Sequence, residues 1–209
     1  FITSSVEVMV GDCEVQLEQE TAYPWGETIE ININTDNPVE FILRLRIPGW
    51  CSGSAAAVNN SPREVDITDG HIRINRTWQD GDSVRLKLPM PVTQVEAHPS
   101  LRDVAGQLAL KRGPIVYCFE DIDNDVELNQ TYLPADGNFT AEYDQHLLDG
   151  IVAIHVKAHV HEHCNFESLY RAQTRSETKE MRLTAIPYYA WANRGQARMQ
   201  VWMNNCDCS

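Results

Sequence analysis

The fold of this chain is decided by the stretch Phe41–Trp50, which reads FILRLRIPGW. Apolar side chains at the odd positions from Phe41 to Ile47 alternate with the arginines Arg44 and Arg46. A period of two is typical of a β-strand that buries one face. The Pro-Gly pair that follows ends the strand, because proline cannot donate a ladder hydrogen bond and glycine permits a sharp turn. The stretch therefore predicts a central strand with β-sheet arranged around it.

Segments with the same alternation recur along the chain and are separated by turn residues. Ile29–Asn34, Val84–Leu88 and Val152–Val160 alternate in this way, and Gly11-Asp12 is typical of a two-residue hairpin turn. Short strands at intervals of about ten residues indicate a β-sandwich or a barrel. We therefore expect an all-β fold, with two β-sandwich domains of the jelly-roll or immunoglobulin-like kind in tandem and antiparallel strands.

The alternation disappears between Met90 and Arg102, where prolines are frequent. Domain boundaries usually fall in connecting segments of this composition. We therefore predict one sandwich over residues 1–98 and a second over residues 99–209. The last residues, Asn204–Ser209, are expected to form a frayed terminus.

The net charge of −13 argues against a nucleic-acid-binding protein, because a surface that binds phosphate needs clustered lysine and arginine. No apolar run approaches the roughly 20 residues that a membrane helix needs, so no membrane partner is expected. The first residues, Phe1–Ser5, lack an initiator methionine and the basic flank of a signal peptide. They are typical of the middle of a longer chain.

Cysteine usage favours a reducing compartment, which we take to be the cytoplasm. None of the six cysteines forms a C-x-x-C pair, and a chain of this length does not need a disulfide framework to fold. Cys13 and Cys118 occupy apolar positions of strand-like segments, which predicts buried free thiols.

Several groups of residues, in chain order, carry a family resemblance. They are Thr21–Trp25 (TAYPW), Leu45–Cys51 (LRIPGWC), Arg76–Trp78 with Gly81-Asp82, Lys111–Cys118 (KRGPIVYC) with Glu120 and Asp123-Asn124, and Ala185–Gly195 (AIPYYAWANRG). Together they resemble glycoside hydrolase family 127, the β-L-arabinofuranosidase group. The resemblance covers only the C-terminal part of that family.

The resemblance implies an (α/α)6 barrel, absent here, followed by two β-sandwich domains. In the family the barrel carries a zinc-bound cysteine nucleophile with glutamate and further cysteine ligands. The family's adjacent Cys-Cys pair is missing from this chain, and Cys206-Asp207-Cys208 does not match it. No catalytic, cofactor-binding or metal residue is therefore assigned, and zinc is expected only in the missing barrel.

We therefore expect the accessory half of a hydrolase, cut at a domain junction and inactive in isolation. Its expected partners are the missing N-terminal barrel, a second copy in a homo-oligomer, and a plant-type glycan that contains arabinose. One alternative is a carbohydrate-binding module, and another is a metal-binding domain.

The metal alternative depends on a histidine-rich tract that contains His155, His159, His161, His163 and Cys164. Alternate side chains of a strand share a face, so His159 and His161 could approach one ion, and zinc accepts nitrogen and sulfur ligands. The competing interpretation is a solvated strand face, because a histidine-rich composition alone is weak evidence for a metal.

A calcium loop is a weaker possibility. Asp121, Asp123 and Asp125 resemble the start of such a loop, but its sixth and twelfth positions hold Val126 and Tyr132 instead of glycine and glutamate. A turn after a buried strand explains these residues better.

Six aromatic side chains could stack on sugar rings or could instead fill the core and contact the missing barrel. They are Trp25, Trp50, Trp78, Tyr188, Tyr189 and Trp191. We expect the loop Tyr188–Arg194 to lie at a domain interface. The carboxylate pairs Glu27 with Glu30 and Asp80 with Asp82 show no catalytic spacing and are interpreted as solvated turn residues.

Overall fold

The computed structural model describes residues 1–161 and 178–206. The chain divides into two compact units, Phe1–Pro91 and Val92–Ser209. The division falls before Val92–Glu96, a strand that the sequence analysis had assigned to the first domain. This strand pairs with Gln107–Arg112 of the second unit. Pro91 and Pro99 flank this short strand, so its alternation of apolar and polar residues was not recognised in the sequence.

The first unit is built entirely from β-strands and turns. Its strands are β1 (Ser4–Val10), β2 (Cys13–Thr21), β3 (Thr28–Thr35), β4 (Val39–Arg46), β5 (Ala55–Val58), β6 (Ser61–Arg63), β7 (Ile67–Thr68), β8 (His71–Trp78) and β9 (Asp82–Lys87).

These strands form two antiparallel sheets of unequal size. One has six strands in the order β1-β2-β3-β9-β5-β6, and the other has three in the order β4-β8-β7. The predicted hairpin at Gly11-Asp12 is present, with Val10 opposite Cys13. The core between the sheets contains alternate residues of β3 (Ile29, Ile31 and Ile33), together with Leu45, Ile72, Ile74 and Trp78 from the smaller sheet. The alternation of apolar and polar residues in the sequence thus identified the side chains of β3 that face the core.

The strand β4, which contains the alternating residues from Phe41 to Arg46, is not central, which corrects our expectation. Among the residues that the structure describes, β4 lies at one edge of the three-stranded sheet and has β8 as its one strand partner. Its inward residues are unevenly covered, since Leu45 is buried whereas Phe41 and Leu43 are half-buried. Alternation predicts which face of a strand is buried, but it carries no information about how many neighbours the strand has.

The second unit is also dominated by strands. They are β10 (Val92–Glu96), β11 (Gln107–Arg112), β12 (Ile115–Glu120), β13 (Thr131–Pro134), β14 (Thr140–Asp144), β15 (Ile151–His161), β16 (Thr178–Pro187), β17 (Met199–Gln200) and β18 (Met203–Cys206), with 3-10 turns at Arg102–Val104, Leu128–Gln130 and Tyr188–Ala190.

Strand pairing in this unit closes on itself. The order β11-β18-β13-β15-β16-β12 returns to β11 through a direct β11–β12 pairing, while β10, β14 and β17 lie outside this ring. The β13–β18 pair is parallel, among strand pairs that are mostly antiparallel, as predicted. Asn204 and Asn205 belong to β18, so the predicted frayed terminus is wrong for these residues. Their backbone groups complete the ring between β11 and β13.

The predicted all-β fold of tandem sandwich-type domains is confirmed. The part of the chain that the structure describes has no helix with the length and hydropathy needed to cross a lipid bilayer. Cys13, Cys51 and Cys118 carry free thiols, and Cys206 is disulfide-bonded. Cys118 is fully buried as predicted, whereas the predicted burial of Cys13 is wrong because this residue is only half-buried. A cytoplasmic location stays a prediction.

Candidate interaction site

An exposed aromatic loop follows the buried end of β16. Ala185 and Ile186 are fully buried in that strand, and Pro187, which cannot donate a ladder hydrogen bond, ends it. The chain then turns through Tyr188–Ala190, so that Tyr188, Tyr189 and Trp191 are 44%, 64% and 42% exposed. We call the segment Tyr188–Gly195 the aromatic loop. Rigid aromatic side chains exposed in one short segment are typical of a contact surface.

An ionic cluster fastens this loop to the end of β12. Nη2 of Arg194 lies 2.7 Å from Oε2 of Glu120, and the same guanidinium donates two hydrogen bonds to the carboxylate of Asp123. The side chains of Glu120, Asp123 and Arg194 are only 1%, 15% and 22% exposed. A paired and bidentate arginine of this kind is held in one geometry.

Glu120 also holds the loop backbone. Its Oε1 accepts a hydrogen bond of 2.8 Å from the backbone N–H of Ala192. Ala192 has a φ of 61°, a left-handed conformation that is unfavourable for a residue other than glycine. One buried carboxylate therefore stabilises the strained residue next to Trp191 and also binds the arginine that closes the loop.

A second set of hydrogen bonds ties the turn after β12 to β16. The side chain of Asn124, 3% exposed, donates to the backbone oxygens of Glu120 and Thr184 and accepts from the N–H of Thr184. Asp121 accepts a hydrogen bond from the N–H of Arg198. The carboxylates proposed for calcium thus lie in a turn, where Asp121 and Asp123 bind protein groups.

The electrostatics of the cluster favour its charged arginine and a neutral thiol nearby. Hydrogen bonding to Asp123, and then to Glu120, raises the pKa of Arg194 above its ordinary value. Burial raises the pKa of the Cys118 thiol to about 12, and the negative charges of Glu120 and Asp123 add to this effect. Cys118 therefore stays protonated at neutral pH and is a poor nucleophile.

The histidines of the tract have separate surroundings. Nδ1 of His155 lies 3.1 Å from Oγ1 of Thr184, and burial, followed by the charge of Arg182, lowers the pKa of His155. The ring of His161 packs edge-on against Tyr132 at 4.8 Å, and His159 lies opposite Glu180.

His163 and Cys164 lie outside the described residues. Within residues 1–161 and 178–206, no three His, Cys, Asp or Glu side chains come together to hold a metal ion.

The remaining aromatic candidates belong to the first unit. Trp78 is fully buried, stacks on Phe41 at 5.5 Å and donates its indole N–H to the backbone oxygen of Phe41. Trp50 is half-buried against the core, and Trp25 is also half-buried. Sequence reasoning could not separate these three from the exposed aromatics of the loop.

The carboxylate candidates of the first unit bind protein groups. Glu27 accepts a hydrogen bond from the N–H of Met90, Glu30 pairs with Arg85, and Asp80 accepts from the N–H of Thr35. Asp82 is only 6% exposed, so its interpretation as a solvated turn residue is wrong.

Sequence comparison divides the chain as the structure does. Residues 1–90 match the family described as "Beta-L-arabinofuranosidase, GH127 middle domain", and residues 92–204 match "Glycoside hydrolase family 127 C-terminal domain". The chain is 34% identical to a non-reducing end beta-L-arabinofuranosidase of Bifidobacterium longum subsp. longum, over 97% of the chain and 32% of that relative.

Solved structures are similar over the same region. A GH127 beta-L-arabinofuranosidase from Geobacillus stearothermophilus T6 superimposes with a TM-score of 0.92 and 38% identity, over 98% of this chain and 33% of that one. A further structure, described as a glycoside hydrolase, has a TM-score of 0.86 and 36% identity, over 96% of this chain and 34% of that one. The chain thus spans about a third of the length of these relatives.

Proposed function

This chain belongs to glycoside hydrolase family 127, whose middle and C-terminal domains it spans, and we propose that it is a non-catalytic support for the catalytic barrel of a longer enzyme. The reaction of that enzyme would be the release of β-L-arabinofuranose, as the names of its relatives suggest. The chain would contribute contacts between domains, and the aromatic loop would be the principal contact of its second unit.

The aromatic loop is the observation that carries this proposal. Tyr188, Tyr189 and Trp191 expose large apolar surface, although the buried cluster of Glu120, Asp123 and Arg194 holds their loop in place. A loop that was only a connection would gain little from such an anchor. Large aromatic side chains contribute much of the binding energy where protein surfaces meet.

The described residues do not fit the zinc–thiolate chemistry that the family resemblance implies. Burial raises the pKa of both Cys51 and Cys118, which disfavours the thiolate form that binds zinc. No cluster of three metal-ligating side chains occurs within residues 1–161 and 178–206. We therefore derive no catalytic step from these residues and assign the chemistry to the barrel.

Two measurements test the proposal. The purified chain should release no arabinose from a β-L-arabinofuranoside, and clear turnover would contradict a supporting role. The remaining part of the same polypeptide, expressed separately, should bind the chain in a pull-down assay. A gene that encodes no such part would also contradict the proposal.

The loop is tested by a double substitution, Tyr189→Ala with Trp191→Ala. It should weaken capture of the catalytic part, because it removes apolar contact area without touching the ionic anchor. Tyr143→Ala is the matched control, since Tyr143 is 60% exposed but lies on β14, away from the loop in sequence. Equal capture by both variants would show that the loop is not the contact.

The same three side chains favour a second function, which is binding of an arabinose-containing glycan. Exposed aromatic faces can stack on sugar rings as well as on protein surfaces. Titration calorimetry with arabinan fragments distinguishes the two functions. Heat that depends on Tyr189 and Trp191 would favour the glycan, whereas no heat together with capture of the barrel would favour support.

A further inference from the structure

The two sheets of the first unit do not cover each other fully. Residues 36–38 connect β3 to β4, and residues 79–81 connect β8 to β9. Packed sheets lie about 10 Å apart, and links this short can only just span that distance. They therefore place β4 over β3 and β8 over β9. Because β2 and β1 continue the larger sheet beyond β3, the free edge of β4 points towards the part of that sheet that no described strand covers.

Exposure of the inner face agrees with this arrangement. Val6 lies opposite Leu17 and Val8 opposite Val15, so both valines of β1 share the face that buries Val15 completely. Val6 and Val8 are nevertheless 50% and 38% exposed. At the other end of the same sheet, the last strand β6 is also exposed, but opposite the buried Ala56 and Val58 it presents the polar side chains of Arg63 and Ser61. The inner face of the sheet therefore exposes apolar side chains at its β1 end and polar ones at its β6 end.

The edge of β4 that borders this opening is suited to pairing. β4 is eight residues long and contains no proline, and in the described part of the chain it has a strand partner only on its β8 side. Its other edge therefore presents unpaired backbone N–H and C=O groups, which readily accept an additional strand. On its outer face, Arg44 lies directly opposite Arg73 of β8, an unfavourable like-charge pair.

We propose that an added β-strand pairs with the free edge of β4 and completes the first sandwich. Its inward side chains, at every second position, would be apolar and would cover Val6 and Val8. Its outward side chains would be acidic, because an acid beside Arg44 offsets the repulsion from Arg73. Recognition would thus combine backbone pairing with alternating side-chain contacts, as in other cases of strand addition.

The strand comes from the longer polypeptide, outside these 209 residues. The matched relatives are about three times as long as this chain, so most of such a polypeptide is available to supply it. This inference shares with the proposed function only the existence of a longer protein. It does not require the aromatic loop or the position of the barrel.

Overlapping peptides of about twelve residues, which exceed the usual length of a strand, can be taken from the rest of the translated sequence and titrated into the chain by fluorescence anisotropy. One peptide with the apolar–acidic alternation should bind and should protect backbone amides of Val39–Arg46 from hydrogen exchange. Val6→Asp should weaken its binding by about tenfold or more. The matched control is Met9→Asp, on the opposite face of β1 and 65% exposed, which should bind normally.

Three results would overturn the inference. The first is that no peptide protects β4. The second is β4 protection in the free chain that increases with protein concentration, since a second copy would then be the occupant. The third is a peptide that binds as tightly when its backbone is N-methylated, because pairing requires those N–H groups. The Tyr189→Ala, Trp191→Ala variant should bind the peptide normally, which separates this inference from the proposed function.

Discussion

Each unit buries a carboxylate beside an arginine, but the two pairs hold different kinds of structure. In the first unit, Asp82 accepts hydrogen bonds from Asn59 and from the N–H of Gln79, and Arg76 lies 3.3 Å away. Arg76 also lies over the ring of the buried Trp78. This centre joins two turns of the sandwich beside the buried Trp78. In the second unit, Glu120 and Asp123 hold Arg194 and with it a loop whose aromatic side chains face outwards.

The difference teaches how a functional surface can be recognised within a stable fold. The Asp82 centre needs no role beyond stability, because its partners Asn59, Gln79 and Arg76 all belong to the turns and strands that it stabilises. The Arg194 centre orders a segment that adds little to the core. Its effect is therefore to hold the exposed side chains of Tyr188, Tyr189 and Trp191 in place. Four predictions test this contrast, beginning with the largest expected effect.

Arg194→Met should lower the free energy of unfolding by about 3 kcal/mol, because it leaves the buried charge of Glu120 without its partner. Urea denaturation followed by circular dichroism measures the change. Arg198→Met is the control, since Arg198 pairs with Glu127 at the surface with 77% of its side chain exposed. Equal effects of the two substitutions would mean that the Arg194 centre is an ordinary surface ion pair.

Asp82→Asn should lower the free energy of unfolding by about 1–2 kcal/mol at pH 7. Burial alone would raise the pKa of Asp82, but hydrogen bonds from Asn59 and Gln79 and the charge of Arg76 outweigh it and lower the pKa. The stabilisation is therefore complete above the unfolded value of about 3.9 and is lost as the pH falls through the folded pKa.

The difference in stability between the wild-type and Asp82→Asn chains should accordingly shrink as the pH falls below about 4 and disappear below the folded pKa of Asp82, as urea titrations at several pH values would show. Asp12→Asn, in the exposed β1–β2 turn, serves as the control and should change stability little at pH 7. A difference that stays constant from pH 7 to pH 3 would exclude ionisation of Asp82 as the cause.

The double substitution Tyr189→Ala with Trp191→Ala should change the free energy of unfolding by less than about 0.5 kcal/mol. These side chains are 64% and 42% exposed, so their removal takes little from the core. Thermal unfolding of the chain measures the effect. A large loss of stability would show that the aromatic loop serves the fold, and the contrast with the Asp82 centre would disappear.

Lys157→Gln should produce no resolvable shift of the urea midpoint. The ammonium of Lys157 lies 2.8 Å from Glu180, but the two side chains are 75% and 54% exposed. Exposed ion pairs gain little, because water and salt screen them. A clear destabilisation would mean that short distance alone, without burial, makes an ion pair important in this sheet.

Local pattern was enough to predict the strands and their buried faces. Ile29, Ile31 and Ile33 are buried as their spacing predicts, and the hairpin at Gly11-Asp12 has the predicted register. What could not be predicted is which strands become neighbours. β4 was expected to be central and is an edge, and Asn204 and Asn205 were expected to fray and are paired in β18. Neighbours are set by contacts between distant segments.

In the candidate site, too, the local features could be predicted and the long-range contacts could not. The loop Tyr188–Arg194 was expected at an interface from its resemblance and its aromatic residues, whereas its anchor was missed. Arg194 meets Glu120 and Asp123 across 74 and 71 residues of chain. Asp82 was misassigned for a related reason, because a carboxylate in a turn looks solvated until its long-range partner Asn59 is known. Spacing within a segment carries no signal for such pairs.

The position of β18 has a consequence for the way this protein is made. Met203–Cys206 fills the place between β11 and β13, so the ring of the second unit lacks one member until β18 has left the ribosome. Because such distant pairings form slowly, the second unit should complete its folding only after β18 has emerged. A stop codon at position 203 should then yield a product that proteases degrade quickly, even though it keeps every residue that precedes β18.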